Sequence, residues 1–510
     1  MKNKLYVIEF VRKGGYLLLF VCVLGECVFF FSLPNLLGCL MCLLSWWIFS
    51  QFFLKEQIIL QHPFAWLFYL SMVLYRYLPL IATFFEGKPI TYGFEMPYET
   101  FSGEIILFFV QSFAFYCFIY YRLSFPLLKK MLRKMSFFQY FTVKSIWIMG
   151  LIGIFAFFSI RNMGEIQTGE IGGKFLGPLS AMRLIPIVLF FPSLCSIKGK
   201  ITSKQVLWIY LLFLEILSLS GNSREHLIYP IGTYLILFFL QIVKEKKNMA
   251  SFVFSTKFPL FVLLFIVLIN LLSIASKAML LNRSIRKDVS STKLLEQQLN
   301  SFSTEKQQTN NGFFRYAEGW DETYVDNFML NRYCNMRITD ETLYYADKFK
   351  GTYEFGNPMM RDFFFDRLLA NFPTPIIKLL SVNIDKDKLD YSEGDYLVSV
   401  STNTVLLPGY RVASHLGLGL ATFGLLYFPI QYLLLVILFC LFDTFVDVKK
   451  EKIVYSLAGL AIVFDMVGRF RNASGCVSDA GFIQREYWQN LFLYWITFKS
   501  SMFVANILKK

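Results

Sequence analysis

The chain has 510 residues, of which 55% are hydrophobic, 18% aromatic and only 17% charged, with 58 Phe; its mean hydropathy is +0.49. Soluble domains carry about 45–50% apolar and about 25% charged residues, so this sequence lacks the polar side chains to cover a soluble core. That excludes a soluble enzyme, a disordered chain and a collagen-like fibre, and an all-α polytopic membrane protein is expected. The formal charge is +14, yet the stretch 278–410 holds 15 basic and 18 acidic residues. The surplus therefore lies elsewhere, in short clusters between apolar runs, as in loops retained on the cytoplasmic side. No basic stripe interleaves with exposed aromatics, so no nucleic-acid partner is expected.

A spanning helix needs about 20 mostly apolar residues. Twelve windows qualify: 15–33, 35–54, 64–83, 104–121, 143–160, 180–197, 205–221, 225–243, 257–276, 424–446, 453–469 and 485–506. Backbone cannot face lipid unpaired, so each is read as a helix. The first follows Lys2, Lys4, Arg12 and Lys13, as a signal peptide would. It lacks a small-residue cleavage site, and a second span begins just after Pro34, so it reads as an uncleaved anchor. With the N-terminus inside, the clusters at 129–134, 198–204, 244–247, 449–452 and Lys509-Lys510 all fall on the cytoplasmic side. Arg283, Arg286 and Lys287 are the exception, and they open a loop long enough to cross regardless of charge. Residues 84–103, 161–179, 221–224, 277–423 and 470–484 then face outward. Three regions follow: a membrane bundle of about nine spans over 1–276, an outward loop domain over 277–423, and about three spans over 424–510.

Seven of the nine Cys lie inside spans and read as small core hydrophobes, while Cys334 and Cys476 read as two free thiols or a pair. With three His in the chain and no Cys/His ligand spacing, no metal site and no cofactor are expected. Neither GxxxxGK[ST] nor HExxH occurs, which leaves no sign of a nucleotide-driven pump or a zinc protease.

Ionisable residues at the edges of spans are the site candidates. The densest group is Gly221-Asn222-Ser223-Arg224-Glu225-His226, at the turn between the seventh and eighth spans. Asn222 or Ser223 would cap the eighth helix, and its free N–H groups beside Arg224 would attract an anion. The structural alternative is a capping pair of Asn222 with Glu225 and an arginine that snorkels to headgroups. The second group is Arg411 and His415, four residues apart and on one face if helical, an arginine for phosphate and a histidine for a proton. Its alternative is an interfacial amphipathic helix. Arg183 starts the sixth span, and Arg469 and Arg471 close the eleventh; together such cations would make an electropositive funnel for an anionic, lipid-linked substrate. Within spans, Glu26, Arg76, Glu215, Asp443 and Asp465 are expected mainly as helix-pairing ion pairs. A proton relay for a transporter is the other reading. Trp320 and Tyr324 in the loop would either stack on sugars or form its core.

The layout of many spans, both ends inside and one large outward loop in the second half resembles the Wzy-type oligosaccharide repeat-unit polymerases of bacterial O-antigen and capsule assembly. Two local motifs carry the resemblance. Ser218-Leu219-Ser220-Gly221-Asn222-Ser223-Arg224 is similar to the Gly-x-Arg turn that such proteins place before a span. Gly417, Gly419 and Gly424, followed by Leu425-Leu426-Tyr427-Phe428-Pro429-Ile430, resemble their glycine-bearing re-entry into the membrane. Here Asn stands between Gly and Ser-Arg, and Glu-His follows the Arg. The resemblance implies a GT-C-like fold in the bacterial inner membrane and metal-independent, inverting transfer between undecaprenyl-diphosphate-linked oligosaccharides. It further implies a flippase and a chain-length regulator as partners beside membrane lipid. On that basis Arg224 and Arg411, then Arg183, are expected on the diphosphate. His415, then His226, is expected as the base, with Trp320 and Tyr324 on the glycan. An O-antigen ligase shares this architecture, and a lipid-linked oligosaccharide flippase or a proton-coupled transporter would share the membrane bundle.

Overall fold

Each of the twelve apolar windows overlaps a helix in the computed structural model, which describes residues 6–162, 171–220, 226–250, 255, 257–281, 320–349, 355–372, 377, 384, 389, 391–405, 411–449, 452–467 and 475–508. In chain order the first helices are α1 (Val7–Phe29), α2 (Leu33–Ile48, continued by a wide π turn to Phe53), α3 (Glu56–Gln61), α4 (Pro63–Leu74) and α5 (Tyr77–Glu86). Then come α6 (Pro97–Tyr120), α7 (Pro126–Lys134), α8 (Val143–Asn162), α9 (Ile171–Ala181, continued by a 3-10 segment Met182–Phe190), α10 (Lys204–Ser220), α11 (Tyr229–Glu245) and α12 (Lys257–Leu281). The loop segment supplies α13 (Phe328–Asn331), α14 (Met336–Asp347), α15 (Pro358–Ala370) and α16 (Glu393–Thr402). The chain closes with α17 (His415–Phe423), α18 (Tyr427–Asp443), α19 (Leu457–Val467), α20 (Cys476–Gly481) and α21 (Tyr487–Ile507). Proline sets many of the starts: Pro34, Pro63, Pro97, Pro126, Pro230 and Pro358 each occupy a first turn, where a missing N–H costs nothing.

Among the described residues, five helical segments are long and apolar enough to cross a membrane: Leu33–Phe53, Pro97–Tyr120, Val143–Ile160, Phe258–Met279 and His415–Asp443. The pair α4 and α5, bent by 41°, makes a sixth if it is one span. Pro79 accounts for the bend, because its ring nitrogen cannot bond the carbonyl four residues back at Tyr75. The chain is therefore a membrane protein whose described residues are mostly helical, with little sheet. The last of these spans starts at His415, upstream of the window that begins at 424. Gly417 and Gly419, which look like loop residues in the sequence, serve close packing: a Cβ on Gly417 would come 2.5 Å from Thr342 Cγ2, and one on Gly419 would enter the Tyr427 ring.

Loops assigned to one side by their charge do gather at one end of the bundle. There Lys129 and His62 meet Asp443, Arg133 meets Asp447, and Lys246 meets Glu56. Two small sheets sit at the same end: β1 (Phe141–Thr142) runs parallel to β2 (Ile197–Lys198), and β3 (Val446–Lys449) pairs antiparallel with β4 (Lys452–Tyr455). The span ionisable groups only partly meet the ion-pair expectation. Asp443 pairs with His62 and Lys129, and Arg76 with Glu104, whereas Glu26 accepts from the Ile90 N–H at 3.0 Å and Glu215 from the Ile231 N–H. The side chain of Asp465 lies outside the described residues.

At the opposite end the loop segment docks on the bundle through the buried Asp340 and the partly buried Glu86. Asp340 on α14 accepts from the backbone N–H groups of Glu95 and Met96, at 2.6 and 2.8 Å, and from the Thr100 hydroxyl at the start of α6. Glu86 accepts from the N–H groups of Asp326 and Asn327. Arg337 donates to the carbonyls of Gly93 and Asp321 and pairs with Asp321 and Glu341. Burial pushes the Glu341 carboxyl up to about 7, with Arg337 pulling it down and Asp340 and Asp321 pushing it further up. The folded state thus holds a proton that the unfolded segment has already lost between about 4.5 and about 7, so stability falls as pH rises through that window. Glu341→Gln is expected to flatten this slope in thermal unfolding of the solubilised chain; an unchanged slope would place the titrating group elsewhere.

Candidate functional site

The span His415–Asp443 is built to place one imidazole. Ser414 caps α17, its hydroxyl accepting from the Gly417 N–H at 3.1 Å, and the Ser414 N–H is fixed by the Thr342 hydroxyl at 3.0 Å. Gly424, at φ 56°, breaks the path between α17 and α18, and Tyr427 reaches back to His415. Its hydroxyl lies 2.6 Å from His415 Nδ1, while His415 Nε2 lies 3.1 Å from Asp479 Oδ2 on α20. Gln431, one turn beyond Tyr427, donates to the same Asp479 oxygen at 2.9 Å, and the Cys476 thiol donates to the Gln431 carbonyl at 3.4 Å. All five side chains are buried. A carboxylate only accepts, so this arrangement assigns the proton to Nε2 and leaves Nδ1 to accept from Tyr427. Tyr427, His415 and Asp479 form a line along which a proton can move.

Around this line the loop segment supplies charge. Glu393, at the start of α16, accepts from the Gly475 N–H and lies within electrostatic reach of Arg367 and His415; burial raises its carboxyl above the usual range. Arg367 donates to the carbonyls of Leu389 and Tyr391 and lies over the Phe363 ring. Arg411 and Asp395 make a buried ion pair at 2.9 Å, and the same carboxylate oxygen takes the Arg411 N–H at 3.3 Å. The helical face expected to join Arg411 and His415 is absent. Residues 411–414 are not helical, and α17 starts only at His415 after the extended Ser414 cap, so the arginine turns to α16 and the histidine to α20. In this state the Arg411 charge is matched by Asp395.

Arg183, in the 3-10 segment after α9, and His226, in the turn before α11, meet at the Phe157 ring. The Arg183 guanidinium lies 4.7 Å over the Phe157 ring and donates to the Ser180 carbonyl at 2.6 Å. The His226 ring meets Phe157 edge-on at 5.9 Å and Tyr229 at 5.4 Å. Arg224, with the rest of 221–225, lies outside the described residues, as do Arg469 and Arg471. The aromatic expectation changes. Trp320 and Tyr324 are both 0% exposed, Trp320 against Tyr345 with its N–H on Glu322, Tyr324 on Phe94 with its hydroxyl on the Ile90 carbonyl. They are core, and cannot stack on a sugar in this conformation. Cys334 and Cys476 are both free. Among the described residues no three His, Cys, Asp or Glu side chains are grouped to hold a metal ion.

Sequence reasoning did not find Asp479, Gln431, Glu393 or Asp395. Asp479 stands 64 residues from His415, in the short loop 470–484 where no spacing marks it; Tyr427 lies inside the glycine-bearing stretch 417–430, where the sequence gives it no role. Comparison with known proteins finds no match among family models, curated proteins or solved structures.

Proposed function

We propose that the chain is a membrane-embedded glycosyltransferase that polymerises lipid-diphosphate-linked oligosaccharide repeat units, with twelve spans, both termini cytoplasmic and the 277–423 segment outside. The observation that carries this reading is the Tyr427–His415–Asp479 line buried where the loop segment meets the bundle. An acceptor hydroxyl in the place of the Tyr427 hydroxyl would give its proton to His415 Nδ1 as its oxygen attacks the donor's anomeric carbon. The bond from that carbon to the diphosphate oxygen breaks on the opposite face, and its electron pair leaves on the diphosphate, so the configuration inverts. Asp479 then stabilises the imidazolium. Arg411, freed from Asp395, and Arg224 with Arg183 would take up the leaving charge. His226, beside Arg183, is the second candidate for the base.

The test is a ladder of products from one purified lipid-diphosphate-linked repeat unit, with Arg224→Ala and Arg411→Ala run beside the wild type and their folding checked. A ladder lost in both variants is the expected result. Transfer only to an added lipid A core would make the chain a ligase. Tight lipid binding without transfer to either acceptor would make it a flippase.

A further inference from the structure

The nine-residue α7, Pro126–Lys134, divides into four rows of residues four apart. At about 100° per residue, the order around the helix is Leu127/Met131, Leu128/Leu132, Lys129/Arg133 and Lys130/Lys134, which closes back onto Leu127/Met131. The first inward row is Leu128/Leu132, of which Leu132 is fully buried. The next is held by acids of the bundle: Lys129 lies 3.5 Å from Asp443, and Arg133 donates to Asp447 Oδ1 from Nε at 3.0 Å and Nη2 at 2.6 Å. The two remaining rows are exposed and adjacent. Lys130 and Lys134 stand beside Leu127, 83% exposed, and Met131. Just before α7, Tyr120 and Tyr121 are exposed at the end of α6, as aromatic residues at a bilayer boundary are.

We infer that the Lys130/Lys134 and Leu127/Met131 rows of α7 form a binding site for the headgroup of an anionic phospholipid. The rows match the two zones of such a lipid. Leu127 and Met131 enter the acyl boundary while the ammonium groups meet the phosphate, and Lys129 and Arg133, spent on Asp443 and Asp447, fix the helix in that orientation. The occupant is anionic because two cations stand together on the exposed side of a helix whose own acids are absent from Pro126–Lys134. This inference is independent of the glycosyl-transfer reading.

The test is titration of the full-length, detergent-solubilised chain with short-chain phosphatidylglycerol, following the thermal unfolding midpoint. Lys130→Gln/Lys134→Gln removes the two cations without touching the core or the pairs to Asp443 and Asp447, so its midpoint without lipid should match the wild type. A cation near an anionic surface strengthens binding about fivefold, so the double variant is expected to need roughly 30-fold more phosphatidylglycerol for the same rise. Equal titrations of wild type and variant would overturn the inference. An equal rise with phosphatidylcholine would overturn it by showing that the apolar row acts alone, and an equal rise with inorganic phosphate would show that no lipid is required.

Discussion

His415→Ala is expected to lower glycosyl transfer by about 10²–10⁴-fold while leaving the chain folded, the range associated with loss of a positioned general base. The imidazole is at the first position of α17 and is held by polar partners, so its removal leaves the capping bond of Ser414 and the close approach of Gly417 to Thr342 in place. Asp479→Asn should be nearly as damaging. An amide can donate where the carboxylate only accepts, which lets the imidazole proton move to Nδ1 and removes the lone pair the acceptor needs. Tyr427→Phe takes away a donor that the acceptor hydroxyl would itself replace, and should cost less than tenfold, about 1 kcal/mol or less of barrier. Single-turnover transfer with a lipid-diphosphate donor separates these cases. Wild-type turnover in folded His415→Ala would remove His415 as the base and leave His226 to be tested in the same way.

The five or six spans found among the described residues were legible because an unbroken run of about 20 apolar residues pairs all its backbone groups in lipid as a helix, and the prolines that open α2, α4 and α6 mark their starts. The start of α17 was not legible. Gly417 and Gly419 read as the end of the loop before a span at 424, yet both are spaces for Thr342 and Tyr427, which only the tertiary fold brings near. Long-range partners were hidden for the same reason. Nothing in the local pattern ties Asp479 to His415 or Asp340 to the N–H groups of Glu95 and Met96. Trp320 and Tyr324 show the limit from the other side: composition says that aromatic residues are present in a loop, while burial decides whether a sugar can reach them.

Arg76 and Glu104 are the pair whose separation should cost most. Nη2 and Oε2 are 2.8 Å apart, and both side chains are 0% exposed. The guanidinium also bonds the Gln111 carbonyl at 3.0 Å and the carbonyls of Met72 and Glu104, and it lies over the rings of Tyr75 and Phe108. Glu104 takes the Tyr75 hydroxyl as well. Arg76 stands at the bend between α4 and α5, where Pro79 has left the helix short of a hydrogen bond, so the pair ties that bend to α6. Arg76→Met strands a carboxylate in the interior, and Glu104→Leu strands a guanidinium; each is expected to destabilise the chain by about 3–5 kcal/mol. The double variant Arg76→Met/Glu104→Leu leaves no uncompensated charge and should recover most of that loss, because desolvating two ions nearly cancels what their attraction returns. Thermal unfolding of the three solubilised variants measures the cycle. Singles as stable as the wild type would mean that water or another ion reaches the pair. A double variant no better than the worse single would mean that the hydrogen bonds to Gln111 and Tyr75, rather than the charges, hold the bend.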